Sequence, residues 1–272
     1  MPRTPLMLMI VAAMLLPISL PAFADDDAAA LARATQNPVA DLISLPFQNN
    51  TNYNVGFYDN TQNVLNIQPV MPFSLNDKTN LITRTIVPVI SQGKMVPGGS
   101  STSGIGDIQF TAFYSPKKPT KSGLIWGAGP VLLMDTATDK ELGTGKWSAG
   151  PSVVLLKMTK EWVFGILLQN VWDFAGDSDR DSVNQFLAQP FINYNFPNKP
   201  GRYLSFSPII TANWEADSDN VWTIPLGLQI GQILKIGKQP VNISGGAYYN
   251  VEKPKYGADW TMRLQFTLLF PK

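Results

Sequence analysis

One group of side chains able to do chemistry is a run of carboxylates, Asp177, Asp179 and Asp181. Two carboxylates facing one another can share the acid and base roles of glycoside hydrolysis, and three can hold a hard cation. The spacing is not that of a calcium loop, and alternating charges between apolar segments read first as a solvated loop. The rest of the catalytic repertoire is absent. The 272-residue chain has no His and no Cys. That removes the commonest general base and metal ligand, and with the thiols go disulfides and thiolate metal sites. A serine nucleophile would lack the imidazole that activates it. The sequence therefore predicts no catalytic residue, no cofactor site and no metal site, and it argues against an enzyme.

What remains is a set of polar side chains spaced at alternate positions within apolar segments. Arg84, Asp107, Gln109, Gln185, Gln189, Asn193, Glu215, Gln229 and Arg263 are the lumen-lining candidates among them. Neutral amides with a few charges of both signs suit a water-filled passage. A selective ion pore would need a ring of one sign. Charges of both signs should partly cancel, or pair with one another, and leave little ion selectivity.

Such side chains need a scaffold of strands. Trp260, Met262, Leu264, Phe266, Leu268 and Phe270 alternate with Thr261, Arg263, Gln265, Thr267 and Leu269. Alternation of this kind puts one face in an apolar phase and the other in a polar one. Leu204 to Trp214 and Trp222 to Gly231 repeat the pattern. Read along the chain it predicts twelve strands, near 43–52, 63–75, 80–92, 104–115, 123–136, 146–157, 162–175, 183–196, 202–216, 221–236, 240–253 and 260–271. Most exceed the ~9–11 residues that a tilted strand needs to cross a bilayer, whereas strands of soluble sandwiches average about 5–6. The fold class predicted is all-β, an antiparallel transmembrane β-barrel of about twelve strands with a short N-terminal helical segment.

The connections sort into two classes in strict order. Asn76–Thr79, Lys117–Ser122, Thr159–Glu161, Pro197–Gly201 and Gly237–Gln239 are tight. Gly93–Ser103, Ala137–Gly145, Gly176–Ser182, Asp217–Asn220 and Lys255–Asp259 are longer or more acidic. A barrel with both termini in the periplasm has short turns there and long loops outside. Tryptophans fall near the strand ends. Trp126 and Trp162 lie on the side of the tight turns, and Trp147, Trp172, Trp214, Trp222 and Trp260 on the other, as two aromatic girdles would. Proline is the discordant feature. Pro69, Pro88, Pro130, Pro151, Pro190, Pro208 and Pro225 fall inside strands, although proline cannot donate to a ladder. Bulges that bend the strands are the expected reason.

The N-terminus reads as an export signal. Arg3 precedes the apolar run Leu6 to Leu20, and Ala22-Phe23-Ala24 is a small-x-small cleavage site. The domains predicted are a signal peptide at 1–24, a helical periplasmic segment or plug at 25–41, and the barrel at 42–272. No later segment is long and apolar enough for a transmembrane helix. A formal net charge of +1 gives no basic surface for nucleic acid. The partners expected are the lipid of the outer membrane, the barrel-assembly machinery and a small solute.

Several blocks carry a resemblance. They are Gln62 to Pro69 with Pro72 to Leu75, Asn80 to Ile90, Gly104 to Asp107, Lys146 to Pro151, Asn184 to Phe186, Pro190 to Asn195, and Ala258 to Lys272. Together they resemble a family of outer-membrane proteins named after the meta-pathway of phenol degradation, whose members are often labelled transporter or neuromedin U. The resemblance spans nearly the whole mature chain. It implies a barrel with an uptake role, for aromatic or other hydrophobic compounds, and supplies no functional residues to carry over. Many outer-membrane barrels end on an aromatic residue, whereas here Pro271 and Lys272 follow Phe270. The function expected is a channel or transporter for small molecules in the outer membrane; a structural or adhesive barrel is the alternative. Mass spectrometry of the exported protein should find Asp25 at its N-terminus, and a retained Met1 to Ala24 would refute the export signal.

Overall fold

Strands dominate residues 25–271, the part of the chain that the computed structural model describes. The export signal expected at 1–24 lies outside the described residues. One helix, α1 (Asp25–Thr35), precedes the first strand. The β-segments follow as β1 (Ile43–Val55), β2 (Asn60–Ile67), β3 (Val70–Ser74), β4 (Thr79–Gln92), β5 (Thr102–Ile105), β6 (Ile108–Pro116), β7 (Leu124–Met134) and β8 (Lys146–Met158). The remainder are β9 (Trp162–Gly176), β10 (Asn184–Asn195), β11 (Arg202–Phe206), β12 (Ile210–Asn213), β13 (Trp222–Ile236), β14 (Gln239–Glu252) and β15 (Trp260–Phe270).

These fifteen segments form one antiparallel sheet that closes into a barrel of twelve staves. Three staves are each built from two segments, β2 with β3, β5 with β6, and β11 with β12. Sequence neighbours pair throughout, and β1 completes the ring by pairing with β15 from Ile43 opposite Phe270 to Tyr53 opposite Trp260. Closure leaves no free edge, the condition for strands to sit in lipid. The expected alternation of connections is present. Turns at 75–78, 117–123, 159–161, 196–201 and 237–238 lie at the end that holds Ile43 and Phe270. The loops at 93–101, 135–145, 177–183, 214–221 and 253–259 lie at the opposite end, together with the tight turn 56–59.

The prolines have a specific explanation, and it is not simply bulging. Each sits where a ladder lapses on at least one side. Pro69 and Pro208 lie in the gaps that divide β2 from β3 and β11 from β12. Pro190 faces the second of those gaps, between the pairs Ala188–Ile210 and Ile192–Phe206. Pro88 faces the gap between β5 and β6, where its carbonyl accepts from the Gly106 amide at 2.9 Å. Pro130 and Pro151 oppose one another across β7 and β8. Beyond Pro130 the β6 pairing skips from Thr111 to Tyr114, and beyond Pro151 the β9 pairing skips from Trp172 to Gln169. Pro225 marks a register shift against β14. A residue without an N–H leaves its neighbour's acceptor unserved, so the pairing loosens there.

Exposure follows the alternation. On β15, Arg263, Thr267 and Leu269 are buried, while Trp260 and Phe270 are exposed. On β13 and β14, Leu226, Leu228, Ile243 and Tyr249 are exposed, while Ile233, Asn242, Ser244 and Tyr248 are buried. An apolar band this extensive on the outside of a barrel is stable only against another apolar phase. The tryptophans lie at the stave ends predicted. Trp162 stacks on Phe164 and packs on Tyr194 at the turn end, with ring centroids 5.6 and 4.7 Å apart. Trp214 meets Trp222 edge-on at 5.3 Å at the loop end. Leu228→Arg, on the outer face near the middle of β13, should cost about 2–4 kcal/mol in a membrane-folding titration. Gln185→Arg, on the inner face of β10, should cost well under half as much; equal losses would refute the facing of the strands.

Candidate functional site

The interior of the barrel is neither uniformly polar nor open. Its turn end is filled by the N-terminal segment. Ala28, Leu31 and Ala32 recur at helical spacing on one face of α1 and are buried. Leu31, Ala32 and, beyond the helix, Leu42 pack on Tyr203, Ile233 and Leu269. Val39 reaches the opposite wall and packs with Ile82, Phe113, Val154, Leu156, Val163, Leu167 and Phe191. Polar contacts fix the segment between these anchors. Gln36 and Asn195 exchange amide hydrogen bonds of 2.9 and 3.1 Å, and the Arg33 guanidinium donates to the Lys160 carbonyl at 3.3 Å. Two inward rings depend on a glycine across the ladder. Phe191 lies over Gly165 and Tyr203 over Gly231, each at a separation that no Cβ could share.

Three cavities lie in the rest of the interior. The first, about 190 Å³, lies against the N-terminal segment. Arg84, Gln189, Asn193, Gln229 and Arg263 line it, five of the nine lumen candidates. The second, about 600 Å³, is nearer the loops and includes Gln109 and Gln185. The third, about 400 Å³, shares Thr211, Thr223 and Pro254 with the second and Arg263 with the first. Arg263 therefore stands between the lower cavity and an upper one. Its Nε donates to Asn50 Oδ1 at 3.0 Å, a terminal N–H donates to the Ser207 carbonyl at 3.3 Å, and its guanidinium lies 4.7 Å from the centre of the Tyr248 ring. Arg84 donates to Gln68 Oε1 at 2.5 Å. Gln169 and Gln109, and Gln189 and Ser207, are bonded to each other at 3.2 and 2.9 Å.

The two acidic candidates lie elsewhere. Asp107 sits in the gap between β5 and β6 and holds the 135–145 loop. Its Oδ1 accepts from the amides of Thr136 and Ala137 at 3.3 and 3.2 Å, and its Oδ2 accepts from the Thr144 amide and hydroxyl at 2.6 and 2.9 Å. Arg180 clasps the same loop, donating to the carbonyls of Gly143 and Thr144 at 2.6 and 3.1 Å. Glu215 is exposed in the loop that follows β12, which ends at Asn213, and lines none of the three cavities. The expected partial cancellation of inward charges therefore fails for a spatial reason. Acidic candidates gather at the loop end, and the arginines stand deeper. Neither arginine pairs with a carboxylate among the described residues.

The carboxylate run that opened the sequence reading sits in the 177–183 loop, where the Asp179 amide donates to Asp177 Oδ1 at 2.9 Å. Among the described residues no group of three His, Cys, Asp or Glu side chains is placed to hold a metal ion. Periodicity puts Phe191 in phase with Gln189 and Tyr203 in phase with Ser205, but it could not reveal that the N-terminal segment packs on them. Val39, Leu31 and Leu42 meet these rings only because the segment lies inside, and that is a tertiary fact.

The fold has counterparts among solved structures. An outer-membrane channel from Pseudomonas putida F1 aligns with a TM-score of 0.62 at 18% identity, over 84% of this chain and 94% of that one. The β domain of the Bordetella autotransporter BrkA aligns at 0.47 and 10% identity, over 85% of this chain and 100% of that one. No protein-family model and no curated protein matches the sequence. The first likeness shows that the chain has the fold of an outer-membrane β-barrel. Asp107→Ala removes the acceptor that holds the 135–145 loop, a loss of about 1.5–3 kcal/mol for a charge-assisted bond. Tryptic cleavage after Lys140 in the folded barrel should rise about tenfold or more; an unchanged rate would refute the clasp.

Proposed function

We propose that this protein is an outer-membrane channel that admits small molecules, with its N-terminal segment as an internal plug. The observation that carries the reading is the series of three cavities inside a closed barrel, joined through shared lining residues. A barrel kept only for structure has no need of an interior with space in it. Eight-stranded barrels fill theirs with side chains, and sixteen-stranded ones leave a wide channel. Twelve staves fit a narrow path. The amides and hydroxyls along it serve as hydrogen-bond stations, and Phe191, Leu133 and Val171 provide apolar wall.

Further features agree with this reading. The outer apolar band and the tryptophans at both stave ends suit a bilayer, with the loops outside and the termini in the periplasm. An export signal at 1–24 and insertion by the barrel-assembly machinery complete that picture. The resemblance to the family named after the phenol meta-pathway supports uptake, and it extends the solute class to aromatic or other hydrophobic compounds. No residue is assigned a catalytic role. The plug follows from the anchors at Leu31, Val39 and Leu42, which hold the segment across the turn end.

Conductance in a planar bilayer tests the reading. The full mature chain should pass small, poorly resolved currents. Deletion of residues 25–41 should raise the conductance severalfold while the barrel still migrates as a folded, heat-modifiable species. A barrel that passes neither ions nor small solutes in either form would overturn the channel reading and leave a structural role.

A further inference from the structure

We infer that the lower cavity is a binding site for a small organic carboxylate, with Arg84 and Arg263 as its anion-recognising residues. The inference rests on reading the lumen as a solute path, and it names the solute class for that path. Both guanidiniums line a single cavity of about 190 Å³. Its lining contains no Asp, Glu or Lys, so it holds two formal positive charges and no negative one. Charges held away from water are ordinarily paired, because leaving one unpaired costs far more than leaving a neutral group. Here Arg263 is buried and still has no carboxylate partner among the described residues.

The contacts each arginine does make leave it with capacity to spare. Arg84 bonds Gln68, and Arg263 bonds Asn50 and the Ser207 carbonyl. A guanidinium carries five N–H donors in a planar fork that matches a carboxylate. The Tyr248 ring beneath Arg263 lends it some negative potential through a cation–π contact, but supplies no acceptor for the fork. Two stranded guanidiniums in one cavity are what an arriving anion would neutralise.

The rest of the lining chooses among anions. Phe191, Leu42 and Val70 give the cavity apolar wall beside the polar groups. Inorganic phosphate would leave that wall in contact with a hydrated ion, whereas a carboxylate on a compact apolar body satisfies both halves. The limited volume excludes long-chain acids unless the N-terminal segment moves. Arg263 also borders the upper cavity, so an anion arriving from the loop end meets it before it meets Arg84. The order of encounter is a relay from one guanidinium to the next.

Calorimetric titration of the purified full-length protein in detergent at low ionic strength tests the site, with benzoate, benzamide and inorganic phosphate as probes. Benzoate should bind about tenfold or more tightly than benzamide, its neutral counterpart of the same shape, and more tightly than phosphate. R84Q and R263Q should each weaken benzoate by about tenfold, and R84K should restore part of the loss. Heat-modifiable migration reports folding. Arg84 has only the Gln68 contact to lose, so R84Q and R84K decide the matter if R263Q does not fold. Equal binding of benzoate and benzamide, tighter binding of phosphate, no binding at all, or indifference to R84Q would each overturn the proposal. Binding in detergent needs no conduction. A barrel that discriminates but does not conduct refutes the channel reading alone, and one that conducts without discriminating refutes this site alone.

Discussion

Everything in this molecule depends on the pairing of its first strand with its last. Ile43 to Tyr53 meets Phe270 to Trp260 residue for residue, and that single ladder converts an open sheet into a ring. A backbone amide left without a partner in hydrocarbon costs several kcal/mol. An open sheet of this length would expose such groups along two edges. Closure removes both at once, and only then can the outer face shed its polar residues. The apolar phase on Trp260 to Phe270 is therefore a consequence of a contact with residues more than two hundred positions earlier. It is local in appearance and global in cause.

The prolines show how much imperfection that ring tolerates. Pro88, Pro130, Pro151 and Pro190 each interrupt pairing on one side only, while the other side of the same strand stays bonded; at Pro69 and Pro208 the ladders lapse on both sides. Pro130 and Pro151 illustrate the economy of the arrangement. Facing one another, they direct their missing donors away from their shared ladder and toward β6 and β9, so the β7–β8 pairing runs unbroken from Leu124 to Leu133. The glycines beside them, Gly129 and Gly150, let the neighbouring carbonyls of Ala112 and Asn170 approach more closely than a Cβ would permit. Loosened pairing and close backbone approach thus occur at the same points.

Inside the ring, charge and burial divide the space. The wall made by Ile82, Phe113, Val154 and Val163 is apolar and holds the N-terminal segment by burying Val39. Beside it Arg84 follows Ile82 on β4, and Arg263 stands on β15 among amides and hydroxyls. Of the two acidic candidates, Asp107 spends its acceptor capacity on the 135–145 loop and Glu215 lies in the loop after β12, so neither reaches the deeper arginines. The positive potential at depth follows from using the acids for loop architecture.

Strand positions were legible because period two is a local property. Trp222 to Ile230 shows its facing without knowledge of any neighbour, and the order of short and long connections needs only counting. The three divided staves were not legible. Proline at 69 and 208 announces a lapse without saying whether it bends a strand or splits it, and at Gly106 and Asp107 the lapse is imposed from the neighbouring strand by Pro88. The lumen was legible as a list and not as a field. Arg84, Gln189 and Arg263 could each be assigned inward from alternation, yet the prediction of cancelling charges summed Asp107 and Glu215 with the arginines as though depth were irrelevant. Depth is set by where each strand begins relative to the bilayer, and Glu215 lies beyond the end of its strand altogether. An error of two residues at a stave end leaves the fold unchanged, but it moves a carboxylate from the passage to the loops and reverses the sign of what the passage should attract.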